Sequence, residues 1–224
     1  RSTRKESSAA SDVYKRQALN YAYECGTLSV TERLGVLTLL PKPNKDKLYL
    51  SNWRPISLLN TMYKLLSGTL AERLKPSLPL LINPDPKAYV PTRFIGECIR
   101  TTYDVLDFAK RNNKIGLVLL IDFEKAFDSI SHSFIIKTLK FFGFGFSFIK
   151  WINLILTDPV ACINLCGNIT ERFDMKRGCR QGDPISALLF ILCTELLAIK
   201  LRNDENVKGL SLIHISEPTS TLYI

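Results

Sequence analysis

Two short stretches of this 224-residue sequence combine residue types that can do chemistry. In Leu120-Ile121-Asp122-Phe123-Glu124-Lys125-Ala126-Phe127-Asp128-Ser129 an apolar run ends on a carboxylate. A carboxylate held at the end of a buried strand can coordinate a hard divalent cation through oxygen. It can equally be the turn former that stops the strand. In Arg177-Gly178-Cys179-Arg180-Gln181-Gly182-Asp183-Pro184 two glycines allow close backbone approach to a ligand, and the helix start that follows offers free N–H groups to negative charge. By itself that stretch is also an ordinary loop and helix cap, with Asp183 as the capping side chain. A third feature is the loop Pro41 to Lys47, which carries Lys42, Lys45 and Lys47 shortly before Arg54.

The flanking pattern supplies the elements that would hold these residues. Ala18 to Cys25 reads as a short helix, and Gly35 to Leu40 as a buried strand stopped by the Pro41–Lys47 loop. The chain returns through Asn52-Trp53-Arg54-Pro55 into Ile56-Ser57-Leu58-Leu59. Leu58, Leu59, Met62, Leu65, Leu66, Leu70 and Leu74 then keep helical spacing as far as Pro76. Prolines make residues 76–91 largely irregular. A helix over Ile95 to Lys110 places Ile99, Thr102, Tyr103, Leu106 and Ala109 on one face, and Ile115 to Ile121 reads as a central strand covered on both sides. Ser131 caps a helix that Gly143 ends, and a second helix follows from Phe146 to Leu156. Val160 to Leu165 and Ile169 to Met175 flank a turn at Gly167-Asn168. Asp183-Pro184 opens the last helix, on which Ile185, Leu188, Leu189, Leu192, Leu196 and Ile199 are the apolar positions. The fold class expected from this mixture is α+β.

Composition narrows the setting. With 46% hydrophobic and 23% charged residues the chain can bury a real core and is not disordered. A net charge of +9 and a pI near 9.3 suggest a polyanionic partner, nucleic acid or an acidic membrane surface. No apolar run reaches the roughly 18 residues of a spanning helix. The six cysteines form no CxxC pair and only two histidines are present, which disfavours a zinc site. Without a secretory signal, the expected location is intracellular, nuclear or cytoplasmic, with reduced thiols.

The two ends mirror each other as DNA. Asp12-Val13-Tyr14-Lys15-Arg16-Gln17 can be encoded by GAT GTG TAT AAG AGA CAG, whose reverse complement encodes Leu210-Ser211-Leu212-Ile213-His214-Ile215. This resembles read-through of a transposase-based sequencing adapter, so residues 1–17 and 210–224 are expected to be non-native tails. Residues 1–17 carry a net +3 and residues 210–224 a net −1, so +7 of the +9 belongs to the segment between them.

Taken in order, four blocks closely resemble the reverse transcriptase domains of non-LTR (LINE-like) retrotransposons. They are Leu37-Thr38-Leu39-Leu40-Pro41-Lys42-Pro43, Asn52-Trp53-Arg54-Pro55-Ile56-Ser57-Leu58-Leu59-Asn60, Ile121-Asp122-Phe123-Glu124-Lys125-Ala126-Phe127-Asp128 and Gln181-Gly182-Asp183-Pro184-Ile185-Ser186. The resemblance implies a right-hand polymerase, with fingers and the start of the palm over residues 18–110, part of the palm over 111–209, and no thumb. It implies two Mg2+ ions, with Asp122 as catalytic ligand and the backbone carbonyl of Phe123 contributing. Such a pair activates a primer 3′ oxygen and stabilises the leaving pyrophosphate. Lys42 and Arg54 would meet the incoming triphosphate. Phe127 would abut its sugar and favour deoxynucleotides, and Gln181 and Gly182 would pack against the nascent base pair. The implied partners are an RNA template, a DNA primer and a dNTP. Asp128 also suits the sugar-reading carboxylate of RNA-dependent RNA polymerases, a family that the Gln-Gly motif disfavours.

Two departures matter. Lys87-Ala88-Tyr89-Val90-Pro91-Thr92-Arg93 stands where relatives show a Gln, Gly-Phe and Gly-Arg pattern, of which Arg93 remains. The family's aromatic-Ala-Asp-Asp block does not occur, and no Asp-Asp pair is found anywhere. This polypeptide is therefore expected to show no polymerase activity of its own. The alternatives are a non-catalytic nucleic-acid-binding remnant of a degenerate element and, within the same class, a group II intron or retron enzyme. The Asn52–Leu59 wording disfavours the latter.

Overall fold

The computed structural model describes residues 2–113, 115, 120–206, 212–216 and 219–223, with the backbone alone for residues 2–11, 120–122 and everything from 212 onward. Helix α1 spans Ser2–Cys25, longer than the expected Ala18–Cys25, because the residues before Ala18 continue the same helical run. A single turn, α2 (Val30–Arg33), follows. It opens with a reciprocal capping box in which the Ser29 hydroxyl accepts from the Glu32 amide while the Glu32 carboxylate accepts from the Ser29 amide.

Strand β1 (Leu34–Pro41) and strand β2 (Trp53–Leu59) form an antiparallel pair in register from Gly35↔Leu59 to Pro41↔Trp53. β2 is the outer strand, which is why Pro55, with no N–H to donate, is tolerated inside it. On its other side β1 runs parallel to β4 (Val160–Leu165), so strands far apart in sequence share one sheet in the order β2-β1-β4-β5. The expected single strand from Ile169 to Met175 is two short pieces, β5 (Asn168–Ile169) and β6 (Phe173–Asp174), both paired to β4. The turn between β4 and β5 lies at Cys166-Gly167, one residue earlier than expected, with both φ angles positive as a two-residue hairpin of this kind requires.

Helix α3 (Thr61–Leu74) is capped by Asn60, whose side-chain oxygen accepts from the Met62 amide. Its buried stripe is Tyr63, Leu66, Ser67, Leu70, Ala71 and Leu74, whereas Leu65, one of the apolar positions at helical spacing, is exposed. A 3₁₀ turn and a single helical turn, α4 (Leu78–Leu81), are the only regular structure described between residues 75 and 95. The rest of that segment is organised by Arg93, whose guanidinium donates to the carbonyls of Pro79, Ile82, Asn83 and Pro86.

Helix α5 (Gly96–Arg111) forms where its periodicity placed it, yet only Cys98 is buried, and Ile99, Tyr103 and Leu106 face solvent. No described element covers this face. Much of the expected central strand over Ile115 to Ile121 lies outside the described residues. What is described is β3 (Leu120–Asp122), three residues long and at the edge of a second sheet ordered β3-β8-β7. Its neighbour is β8 (Thr219–Tyr223), itself paired with β7 (Leu212–Ser216). A strand-prone tail pairs with an open strand edge whatever its origin.

After β3 come the short α6 (Ala126–Ser129), α7 (His132–Phe141) capped by Ser131, and α8 (Phe146–Leu156). The last helix, α9 (Ser186–Arg202), is buried on nearly all sides in its first half, and Leu188, Leu189, Phe190, Ile191 and Leu192 belong to one core with residues of α3, α6, α7 and α8. Full burial of a side chain of that size stabilises by about 1.5–3 kcal/mol, which makes α9 the central post of the molecule. Among the described residues no helix is long and apolar enough to cross a membrane.

Candidate active site

The loop between β6 and α9 runs under the β1–β2 pair and is fixed at every step. The Gly178 amide donates to the Ile130 carbonyl (2.6 Å), the Cys179 amide to the Phe127 carbonyl (2.7 Å), and the Gln181 carbonyl accepts from the Ser57 amide (2.9 Å). The first two bonds hold the loop to the α6 turn and the third holds it to β2. Gly178 and Gly182 have φ of +92° and +101°. A Cβ on Gly178 would lie 3.0 Å from the Asp128 backbone, and one on Gly182 would lie 3.1 Å from the Ser57 carbonyl oxygen. Both positions therefore need glycine for conformation and for space.

Above this floor opens a cleft of about 290 Å³ lined by Arg54 and Ile56 from β2, Phe127 from α6, Tyr89, and residues 180–183 and 186–187. Four of the expected nucleotide-binding residues, Arg54, Phe127, Gln181 and Gly182, are thus brought together from three distant blocks of sequence. Phe127 is half-buried and tilts against Phe190 of α9 with ring centres 4.9 Å apart, so it is both a core aromatic and a wall of the cleft. Nε of Arg54 is buried without a hydrogen-bond partner. An unpaired buried guanidinium N–H costs about 1–3 kcal/mol unless a ligand accepts from it.

Lys42 is not among the residues lining this cleft. It sits near the far end of the β1–β2 hairpin, where its amide donates to the Asn52 carbonyl (2.8 Å) and its amine to the Ser51 carbonyl (3.0 Å). Phe123 lies on the opposite side of α6, edge-on to Phe190 at 6.5 Å, where it helps line a separate apolar hollow. Asp122 ends β3 opposite Thr221, and its backbone alone is described. Among the described residues no group of three or more His, Cys, Asp or Glu converges in a way that could hold a metal ion. The described residues do not make a metal centre by themselves.

Two cleft residues were missed by sequence reasoning. Tyr89 belongs to the departing 87–93 block and is carried on a backbone with φ +58°. Arg180 was read only as part of the loop motif. The signal for it was present, a charged residue wedged between Cys179 and Gln181 beside an apolar helix.

Asp183 corrects another expectation. It is 8% exposed, and its carboxylate accepts from the hydroxyls of Tyr63 (2.8 Å) and Ser67, so its main partners lie on α3 rather than on the helix it was expected to cap. Helix α9 begins at Ser186, after Pro184. Burial pushes the Asp183 carboxyl above the usual carboxylate range, opposed by the Ser67 and Tyr63 hydroxyls, the Ile185 amide and the Arg180 guanidinium. Arg93, the survivor of the expected fingers pattern, is turned inward onto backbone carbonyls.

Comparison with known proteins gives the family and the fold. Residues 40–215 match the family described as reverse transcriptase (RNA-dependent DNA polymerase). The chain is 35% identical over 186 residues to the transposon TX1 uncharacterized 149 kDa protein of Xenopus laevis, covering 83% of this chain and 14% of that protein. It is 31% identical over 175 residues to the Pol polyprotein of the type-1 retrotransposable element R2 of Popillia japonica, covering 77% of this chain and 24% of that protein. It is also 30% identical over 192 residues to the R2DM polyprotein of Drosophila melanogaster, covering 85% and 18%. The chain thus spans a quarter or less of these curated relatives. In fold it is similar to Candida tropicalis telomerase solved with a fragment of telomeric RNA, with a TM-score of 0.57 at 11% identity over 95% of this chain and 40% of that one. The mixed sheet and helix architecture is accordingly that of reverse transcriptase fingers and palm, and the chain belongs to the reverse transcriptase family, of the non-LTR retrotransposon kind.

Proposed function

We propose that this chain is the nucleotide-holding part of an RNA-directed DNA polymerase, with fingers and the start of the palm over residues 18–110, part of the palm over 111–209 and adapter-derived tails outside them. The observation that carries this reading is the single cleft shared by Arg54, Phe127, Gln181 and Gly182. Arg54 supplies a guanidinium whose buried Nε has no protein partner, suited to an anionic phosphate oxygen. Phe127 presents a ring held in place by Phe190, a rigid wall against which a sugar bearing a 2′ hydroxyl would collide. Gln181 and Gly182 offer a flat floor with its backbone bound to β2, suited to the face of a base pair.

Reverse transcriptases generally use divalent metals. Here the metal would be magnesium, with Asp122 and the Phe123 carbonyl among its ligands, two groups where a hard cation takes about six oxygens. The proposed partners are an RNA template, a DNA primer and a dNTP, met by the +7 net charge of residues 18–209. Lys42, at the hairpin end, contacts the triphosphate only if that hairpin bends toward the cleft. On this reading the chain binds nucleotide and RNA–DNA hybrid without extending a primer.

Calorimetric titration of the purified chain with dATP tests the cleft. Binding that weakens about tenfold or more in Arg54→Ala, the loss of one charge-assisted contact of about 1.5–3 kcal/mol, is the expected result. Equal affinity in wild type and Arg54→Ala would remove the proposal. Titration with RNA–DNA hybrid at rising salt separates out the non-catalytic remnant: hybrid binding that falls steeply with salt, beside no dATP binding, favours it. Primer extension abolished by Asp122→Asn would overturn the expected lack of activity.

A further inference from the structure

The floor of the cleft is only as well placed as the loop that carries it, and one side chain of that loop reaches across the molecule. Arg180 is 5% exposed, as deeply buried as the core leucines. One of its terminal nitrogens, Nη2, donates to the Arg33 carbonyl at the end of α2, and its guanidinium carbon lies 5.0 Å from the centre of the Tyr63 ring on α3. Its Nε passes 4.0 Å from the point where a Cβ on Gly35 of β1 would stand. Arg180 therefore bonds to α2, lies over the Tyr63 ring of α3 and passes beside β1. The next residue, Gln181, is the one whose carbonyl accepts from Ser57 and whose side chain borders the cleft.

Burying a guanidinium is expensive, and here its Nη1 has no hydrogen-bond partner. A core position asked only to fill space would be served at lower cost by methionine or leucine. What a planar fork provides that an apolar chain does not is direction. It fixes the angle at which the loop leaves the Arg33 carbonyl, while the Tyr63 ring fixes its plane. The adjoining space of about 10 Å³, bounded by Arg180, Tyr63, His132 and Asp183, is the size of one water molecule, so the loop has no room to settle deeper.

We infer that Arg180 is a positioning residue: it braces the 178–183 loop against the Arg33 carbonyl and the Tyr63 ring, and so sets the height of the Gln181–Gly182 floor opposite Arg54. The inference rests on reading the cleft as a nucleotide site, but the brace can be measured without a nucleotide. The Ser57 amide, bonded to the Gln181 carbonyl, reports the height of the floor through its hydrogen exchange.

The decisive variant is Arg180→Lys, which keeps the charge and a long stem and loses the fork. Ser57 should exchange at least tenfold faster, with Leu139 in α7 and Ile152 in α8 unchanged, and dATP should bind about tenfold more weakly. Tyr63→Phe, which keeps the ring and loses the hydroxyl bond to Asp183, should leave Ser57 at the wild-type rate. Unchanged exchange at Ser57 in Arg180→Lys overturns the inference. So does acceleration shared equally by Leu139 and Ile152, which would mean general loosening, or the same effect from Tyr63→Phe. If Arg180→Lys does not fold, Arg180→Gln is read by the same criteria. Absence of dATP binding in the wild-type chain would instead strike the proposed function, leaving the exchange measurement to decide the brace.

Discussion

Replacing Gly182 by alanine puts a methyl carbon 3.1 Å from the Ser57 carbonyl oxygen and 3.6 Å from Cγ2 of Ile56, on a backbone whose φ is +101°. The conformational part of the cost is about 1–3 kcal/mol, since this region is all but closed to residues with a Cβ. The steric part adds about 1 kcal/mol or more, because the nearest atom is strand backbone and cannot swing aside. Together they predict a loss of about 3 kcal/mol, or roughly 6–12 °C in Tm for a chain of this size. The assay is urea denaturation followed by circular dichroism, with the slope of the transition unchanged. Gly68→Ala in α3 is the matched control. Nothing lies within 4 Å of its added carbon, and a helix interior gains about 0.5–1 kcal/mol from the exchange. A Gly182→Ala chain within about 0.5 kcal/mol of wild type would refute the close approach of the 178–183 loop to β2.

Three further outcomes follow from the same structure. Burial lowers the His132 pKa from its ordinary 6.5, the Gly178 carbonyl opposing and Arg180 reinforcing the shift. The folded state thus binds fewer protons than the unfolded state, so His132 contributes stability above pH 6.5 that is lost as the pH falls below it, and His132→Gln should flatten that slope between pH 5 and 7 in denaturation curves. Asp183 carries the opposite sign: its raised pKa means that its contribution grows as the pH falls toward 3.8, a trend that Asp183→Asn removes. Among the cysteines, burial pushes the Cys193 thiol up to about 11 and raises Cys179 as well, whereas Cys25 and Cys166 are exposed. Brief alkylation mapped by mass spectrometry should label Cys25 and Cys166 first, and early labelling of Cys193 would contradict the packing of α9 on α7.

The local elements were legible because their determinants are local. The Ser131 cap, the span of α8 from Phe146 to Leu156 and the β1–β2 hairpin all follow from residues within a few positions of one another. The pairing of β1 with β4 was not legible, since the match of Leu34 to Val160 is set by packing across more than a hundred residues. Periodicity found α5 but not its surroundings: an amphipathic pattern states which face is apolar, and not whether anything covers it. Asp183 was misjudged for a related reason. Its position before a proline and a helix fits a cap, while its real partners, Tyr63 and Ser67, lie more than a hundred residues upstream. At the candidate site, Arg54, Phe127, Gln181 and Gly182 share one cleft, whereas motif order gave no distance for Lys42, which the hairpin carries away from it. Arg180 and Tyr89 are cleft residues because of how the loops cross, and the charge of Arg180 between Cys179 and Gln181 is the one local hint of it.

The claim on which the account stands is that the incoming nucleotide occupies the cleft between β2 and the 178–183 loop. Photolabelling the chain with 8-azido-dATP and mapping the modified peptides measures this directly. The account predicts label on peptides containing Tyr89, Phe127 or residues 180–187, protected by excess dATP and reduced in Arg54→Ala. Label that survives both, or that falls on α5 or the β4–β6 edge, would contradict it.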